Sequence, residues 1–354
     1  MGCLVCKGET YMKIAIDCRY LGKSGIGRVC EGVIDNLDYS AHEFYLVGDP
    51  EKLKKYDKAV VIEDNTYPYS KKGLFKFNTK RINRECDCMI IPNFLIPFGI
   101  KIPIHSVMHD LIFLDVKETV NGKMDYLIKR FLLKRAMKKS QSIACVSNFT
   151  KSRCEFYFKK YAKKCYVAYN GLSKEIIAYR ETHSNVTEKD NTIVFVGNVK
   201  RHKGLPILLE AFSKVDDPTL KLKIIGEREG FLTGLKLEEA DYPNVIFTGK
   251  LTDEELYSEI QHAKFLVQPS VYEGFGLPPL EALYLGTQPI LSNIEVFKEI
   301  YRNFPVIFFN DADELAEIMQ SQAKEITCGQ KVVMSNYNFA SLVSTICTHV
   351  IGHV

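Results

Sequence analysis

The stretch from Val267 to Gly286, VQPSVYEGFGLPPLEALYLG, limits most sharply what this chain can fold into. The apolar run FLVQPS that leads into it reads as a buried strand, Gly274 and Gly276 mark a turn, and Pro279 suits the first turn of a helix. Strand, glycine loop and helix in that order make one α/β unit. Such a loop brings backbone N–H groups to a helix N-terminus, where the macrodipole attracts an anion. Glu273 falls in the loop and Glu281 in the early turns of the helix. Two acceptor-only carboxylates flanking a phosphate-favouring backbone suit a ligand with hydroxyls on both sides of a diphosphate, as in a nucleotide sugar.

With 354 residues the chain is long enough for two domains, each with its own core. Its 46% hydrophobic and 25% charged residues are those of a soluble globular protein. The most membrane-like stretch, Met89 to Ile104, is interrupted by three prolines, an asparagine and a lysine, so it reads as strand, loop, strand. The N-terminus lacks the apolar region of a secretory signal, and Cys6 stands where myristoylation wants Ser or Thr. Met12-Lys13 opens directly into a strand, which makes residues 1–11 a candidate disordered leader. Eleven cysteines at irregular spacing, without an export signal, point to reduced thiols in the cytoplasm. Cys3/Cys6 and Cys86/Cys88 are close pairs, but ordinary buried or frayed thiols describe them better than zinc ligands. The formal charge of +4 conceals a split: residues 1–184 hold 32 Lys/Arg and 20 Asp/Glu, and the remainder 15 and 23. The basic first half is suited to an anionic partner.

KIAID, from Lys13 to Asp17, reads as a first strand, followed by a loop with Gly25-Ile26-Gly27 and a helical pattern through Val29, Val33, Ile34 and Leu37. This is the opening of a doubly wound sheet, although its glycines do not form G-x-G-x-x-G. The aromatic, basic stretch from Asn65 to Phe77 reads as an acceptor contact or a surface loop. The strand Ile104 to Met108 ends in His109-Asp110, where open α/β sheets bind ligands. The spacing from Lys123 to Lys139 predicts a helix that packs Met124, Leu127, Ile128, Phe131 and Leu132 inward and carries seven cations outward. That basic face could rest on an anionic membrane surface. A polar stretch from Ala178 to Lys189 reads as the linker, and a second αβ series follows it. Thr252 with Glu255 predicts a capping box, and the final helix, Phe339 to Ile351, stands outside the strand rhythm.

Two successive αβ series, with the strongest motif late in the second, resemble the GT-B architecture: two Rossmann-like doubly wound domains facing a cleft. YEGFGLPPLEAL, with its E-x7-E spacing, looks like the signature of retaining glycosyltransferases of family four, of the bacterial polysaccharide and O-antigen type. GIGR, HDLIFL, VSNFTK, YNG, VGNVKRHKG and GTQPI extend the resemblance over most of the chain. The resemblance implies an acceptor domain over residues 1–184, a donor domain over 185–336, and a C-terminal helix over 337–354 that crosses back to the first domain. Residue by residue, it implies that Glu273 holds the donor hexose hydroxyls, with the backbone of Gly274, Phe275, Gly276 and Leu277 along the sugar and diphosphate. Glu281 would accept from the ribose diol, Lys203 would meet the diphosphate, His109 would lie near the sugar, and Gly25 and Gly27 would approach the phosphates. Where many members carry an arginine after the loop glycine this chain has Asn198, and Arg201 is the candidate replacement.

The reaction so implied is transfer of a hexose, from GDP-mannose or a UDP-hexose, to an oligosaccharide or lipid-linked acceptor. The diphosphate would leave on the face where the acceptor enters and would take the acceptor's proton, unlike the paired-carboxylate double displacement of retaining glycosidases. Asp311-Ala-Asp313 imitates a D-x-D metal motif but reads as a helix cap, so no cofactor and no metal are expected. No nucleic-acid partner is expected, and a peripheral position on the inner face of the cell membrane is. The alternatives are a non-transferring enzyme of the same architecture, such as a nucleotide-sugar epimerase, and a sugar-nucleotide-binding protein.

Overall fold

The computed structural model of the chain describes residues 11–22, 24–183, 186, 188–227, 244–323, 333 and 335–352. The possible leader and the Cys3/Cys6 pair lie outside these, apart from Tyr11. The chain divides into two units. One comprises the residues up to Leu111, Gly122–Asn170 and those from Phe339 onward; the other comprises Ile112–Asn121 and Gly171–Asn338.

The first unit is built on seven strands: β1 (Lys13–Asp17), β2 (Glu43–Gly48), β3 (Val60–Glu63), β4 (Cys88–Ile91), β5 (Ile104–Met108), β6 (Ser142–Cys145) and β7 (Cys165–Val167). They lie in the order β3-β2-β1-β4-β5-β6-β7, and every pairing is parallel. A parallel sheet covered on both faces requires near-continuous apolar strands, and β4 and β5 are buried along their whole length. The order reverses between β1 and β4, so the switch point of this sheet lies where their C-terminal ends diverge.

Arg19, just past β1, fixes the irregular stretch that follows β3. Its guanidinium grips Asp17 through two hydrogen bonds of 2.8 and 2.7 Å. It also donates to Thr66 Oγ1 at 2.9 Å and the Gly73 carbonyl at 3.0 Å, and lies 4.2 Å over the Phe77 ring. The bidentate, stacked arrangement is one that only arginine provides.

The helix Gly122–Lys139 departs from its sequence pattern. Its buried residues are Leu133, Ala136 and Met137, whereas Met124, Leu127, Ile128 and Phe131 are exposed by half or more. The apolar stripe expected to pack therefore faces outward, because only the last two turns lie against the core. The last helix, Phe339–Ile351, belongs to the first unit and packs on the helix Ser24–Asp35. The Phe339 ring fills the space that a Cβ would need at Gly32, and His349 stacks on Tyr166 at 3.5 Å.

The second unit is a six-stranded parallel sheet: β8 (Asp190–Val196), β9 (Lys221–Ile225), β10 (Val245–Gly249), β11 (Ala263–Gln268), β12 (Gln288–Ser292) and β13 (Ile307–Phe309), ordered β10-β9-β8-β11-β12-β13. Phe195, Phe265 and Val267 from the central strands pack with Leu208, Leu315 and Met319 in a fully buried core. Each such side chain contributes about 1.5–3 kcal/mol relative to exposure. The units divide after Asn170, ahead of the polar stretch expected to link them. The helix Lys174–Thr182 explains the difference: Tyr179 donates to Gln261 Oε1 at 3.1 Å and meets the Tyr257 ring edge-on, which ties it to the second unit. Thr252 and Glu255 form the expected reciprocal capping box. Asp311 caps the helix Ala312–Gln320 through the Glu314 N–H, and Asp313 pairs with Lys214 at 2.8 Å.

Candidate functional site

In the second unit the strand order reverses between β8 and β11. The loops leaving their C-terminal ends are where a doubly wound sheet places ligands, and these two loops carry Lys203 and Glu273. The loop after β8 ends in a single helical turn, Arg201–Lys203, and then Gly204, whose φ of 69° opens the helix Leu205–Ser213. A Cβ at Gly204 would collide with the carbonyl of Pro269, so only glycine allows the loops this close. The Val271 N–H donates to the His202 carbonyl at 2.9 Å and joins the two loops through their backbones.

This junction sets the central geometry. Lys203 Nζ donates to Glu273 Oε1 at 2.6 Å, and Ser270 Oγ donates to the same oxygen at 2.8 Å. Burial alone would raise the Glu273 carboxyl, but the Lys203 ammonium and the hydrogen bonds from Lys203 and Ser270 outweigh it and hold the group below its ordinary range. Glu273 is therefore ionised at neutral pH. Burial, followed by the neighbouring Lys203 charge, lowers His202 to about 4, so that ring is neutral beside the pair.

Beyond Glu273, the helix Leu277–Leu285 begins at Gly276, where φ is 86°. The Phe297 ring stands 2.6 Å from the place of a Cβ there, and the Tyr301 hydroxyl donates to the Gly276 carbonyl. Pro278 and Pro279 have no N–H, so the backbone donors at this helix end belong to Gly276 and Leu277. The Phe275 side chain is buried edge-on to Tyr337, which leaves its backbone as the part able to meet a ligand. Glu281, one turn into the helix, is 5% exposed. Asn198 Oδ1 accepts from the Glu227 N–H at 3.4 Å, so it braces the first part of the loop.

Arg201 is exposed and lines a cavity of ≈ 420 Å³ together with Gly204, Ser270, Asn293 and Asn310. Lys203, Glu273 and Glu281 do not line that cavity, so Arg201 and Lys203 face different spaces from adjoining positions.

The first unit holds the other expected site residues. Gly25 and Gly27 fall inside the helix Ser24–Asp35 rather than in the loop before it. Gly25 is exposed with open space around it, while a Cβ at Gly27 would meet the Tyr20 carbonyl, so Gly27 answers to packing. His109, at the end of β5, lies 2.8 Å through Nε2 from the carbonyl of Pro92. A carbonyl only accepts, so Nε2 carries the proton; burial lowers the ring to about 4, which leaves it neutral with a lone pair on Nδ1.

Sequence reasoning passed over several residues of this region. Ser270, three positions before Glu273, was readable as a local partner. Tyr301 and the Tyr272–Asp115 hydrogen bond of 2.8 Å were not, since they join distant segments. Asp115 belongs to Ile112–Asn121, which lies with the second unit although both of its flanks lie in the first.

Residues 180–325 match the family model of glycosyl transferases group 1. That match falls within the second unit. Among curated relatives, the chain is 30% identical over 200 residues to the O-antigen chain mannosyltransferase RfbU of Salmonella typhimurium, an alignment covering 56% of this chain and 54% of the relative. The chain thus spans about half the length of the relative it matches. Among solved structures, it resembles WaaG, a glycosyltransferase involved in lipopolysaccharide biosynthesis, with a TM-score of 0.68 at 14% identity over 96% of this chain and 99% of that one. It also resembles Anabaena HepE in complex with UDP and glucose, with a TM-score of 0.65 at 16% identity over 96% and 99%. Both units thus have the Rossmann-like parallel sheets of the GT-B fold.

Proposed function

We propose that the chain is a retaining hexosyltransferase that moves mannose from GDP-mannose, or a hexose from a UDP-hexose, to an oligosaccharide or lipid-linked acceptor in cell-surface polysaccharide synthesis. The observation that carries this reading is the Lys203–Glu273 pair at the switch point of the second sheet, beside the start of the helix Leu277–Leu285. An ionised carboxylate anchored by Ser270 suits hexose hydroxyls, a cation 2.6 Å away suits the diphosphate next to them, and Glu281 suits a ribose diol. Arg201, on the neighbouring face of the same loop, is the candidate second cation. UDP in the HepE complex and mannosyl transfer by RfbU support the two donor classes.

In this reading the bond from the anomeric carbon to the diphosphate oxygen breaks on the face where the acceptor oxygen bonds. The departing phosphate oxygen takes the acceptor's proton. Lys203 and the Gly276 and Leu277 N–H groups stabilise the charge that develops on the leaving group, the kind of effect that usually contributes most to catalysis. In the first unit, neutral His109 has Nδ1 available as an acceptor, and Gly25 stands at the start of a helix suited to phosphate. No metal or other cofactor enters this reaction.

The exposed face of the helix Gly122–Lys139 supports a position on the inner face of the membrane. Met124, Leu127, Ile128 and Phe131 recur at helical spacing, with Lys123, Arg130, Lys134 and Lys138 exposed beside them. An apolar row flanked by cations suits an anionic bilayer, which takes the row into its headgroup boundary. Among the described residues no helix is long and apolar enough to cross a membrane. Transfer assays with GDP-mannose and UDP-hexoses on lipid extracts test the function. Hexose appearing on a lipid or glycan with the donor's anomeric configuration supports it; inverted products, or epimerisation without transfer, would overturn it.

A further inference from the structure

Three cysteines separated in sequence meet in the core of the first unit. Cys145 ends β6, Cys154 lies in the helix Asn148–Tyr157 and Cys165 opens β7, the edge strand of its sheet. All three are buried free thiols, and their sulfurs lie within 4.8 Å of one another. Three elements thus present sulfur donors to one point in the core. A metal ion bound at about 2.3 Å by each of three sulfurs holds them roughly 4 Å apart, which small side-chain rotations reach from this arrangement. The group contains no oxygen or nitrogen ligand, a donor set that favours soft ions over magnesium, calcium or manganese. Lys151 lies on the same helix as Cys154 and pairs with Glu155 at 2.8 Å.

We propose that Cys145, Cys154 and Cys165 form a three-thiolate site for a soft divalent d10 metal ion of the zinc group, which ties the edge strand β7 and the helix Asn148–Tyr157 to β6. Loading breaks three S–H bonds, forms three metal–sulfur bonds and releases three protons to solvent. The loaded cluster carries one net negative charge. The site is structural and separate from the sugar chemistry of the second unit. Its nearest sequence cue is the run of cysteines at 145, 154 and 165, whose spacing follows no zinc-finger pattern.

The test is titration of the fully reduced, full-length chain with cadmium(II) and zinc(II) under anaerobic conditions. The expected result is uptake of one equivalent with a sulfur-to-cadmium charge-transfer band, proton release, and a rise in the thermal unfolding midpoint. Cys154→Ser and Cys165→Ser should lose all three, while Cys88→Ser, at a buried cysteine outside the cluster, should keep them. Should the cluster variants fold poorly, alkylation mapping of the wild-type chain decides instead: cadmium should protect Cys145, Cys154 and Cys165 in the unfolding-coupled reaction and leave Cys88 unprotected. Absence of stoichiometric uptake, uptake unchanged in both cluster variants, or protection that maps to other cysteines would overturn the proposal.

Discussion

Lys203 and Glu273, 70 residues apart in sequence, meet at 2.6 Å because the loops after β8 and β11 leave neighbouring strands at the point where the sheet reverses its order. Both side chains are mostly buried, at 20% and 11% exposure. Removing Lys203 therefore leaves a carboxylate without the cation that keeps it ionised. A double-mutant cycle with Lys203→Met and Glu273→Gln should give a coupling of roughly 1–3 kcal/mol in denaturant unfolding. Because the folded Glu273 carboxyl is held below its ordinary range, this stability is present above the unfolded value of 4.5 and is lost as pH falls through the lower folded value. In Lys203→Met that part of the acid limb should shrink.

Gly204 should tolerate substitution less than Gly25. Alanine at Gly204 meets both a positive φ and the Pro269 carbonyl, and should destabilise by about 2 kcal/mol or more while separating Lys203 from Glu273. Alanine at Gly25 enters open space and should leave stability within about 0.5 kcal/mol. Thermal melts of the two variants check the order.

His109 and His202 are both lowered to about 4 by burial, so each binds its proton more readily in the unfolded chain. Stability should be full above about 6.5, the ordinary histidine value, and fall as pH drops from there toward 4. His109→Gln should flatten part of that decline, and His109→Gln with His202→Gln more of it. Urea midpoints measured across this window decide it, and a decline unchanged in both variants would contradict the assignment.

The outward row on the helix Gly122–Lys139 makes a claim that charge alone does not. Leu127→Ser with Phe131→Ser keeps every cation, yet should reduce flotation with anionic vesicles several-fold, and the residual binding should become more sensitive to salt. Lys134→Gln with Lys138→Gln should lower binding chiefly at low salt. Equal flotation of the serine variant and the wild type would show that the apolar row does not enter the bilayer.

Much of the fold was legible because its signals are local. KIAID, CMII and FLVQPS read as buried strands from apolar runs alone, and the Thr252–Glu255 box and the Asp311 cap follow from residue types three positions apart. What escaped depends on tertiary placement. Met124, Leu127, Ile128 and Phe131 have the spacing of a packed stripe, but spacing does not reveal which turns of a helix touch the core. Nothing in the residue types of Ile112–Asn121 announces that these residues join the second unit, or that Asp115 meets Tyr272. In the site, Glu273 and Gly276 were legible through loop and helix-start patterns and Lys203 only through the family resemblance, whereas Tyr301 braces Gly276 from a helix further along the chain.

The most direct test of the central claim is nucleotide-sugar binding by the full chain, followed by thermal shift with GDP-mannose, UDP-hexoses and the free diphosphates. One nucleotide family should raise the unfolding midpoint, with ~2.7 kcal/mol of stabilisation at 100 times the dissociation constant. The shift should fall sharply in Lys203→Ala for both the sugar nucleotide and the free diphosphate. In Glu273→Ala only the advantage of the sugar nucleotide over the free diphosphate should disappear. A chain that no nucleotide stabilises, or one whose shift survives intact in Lys203→Ala and Glu273→Ala, would contradict the account.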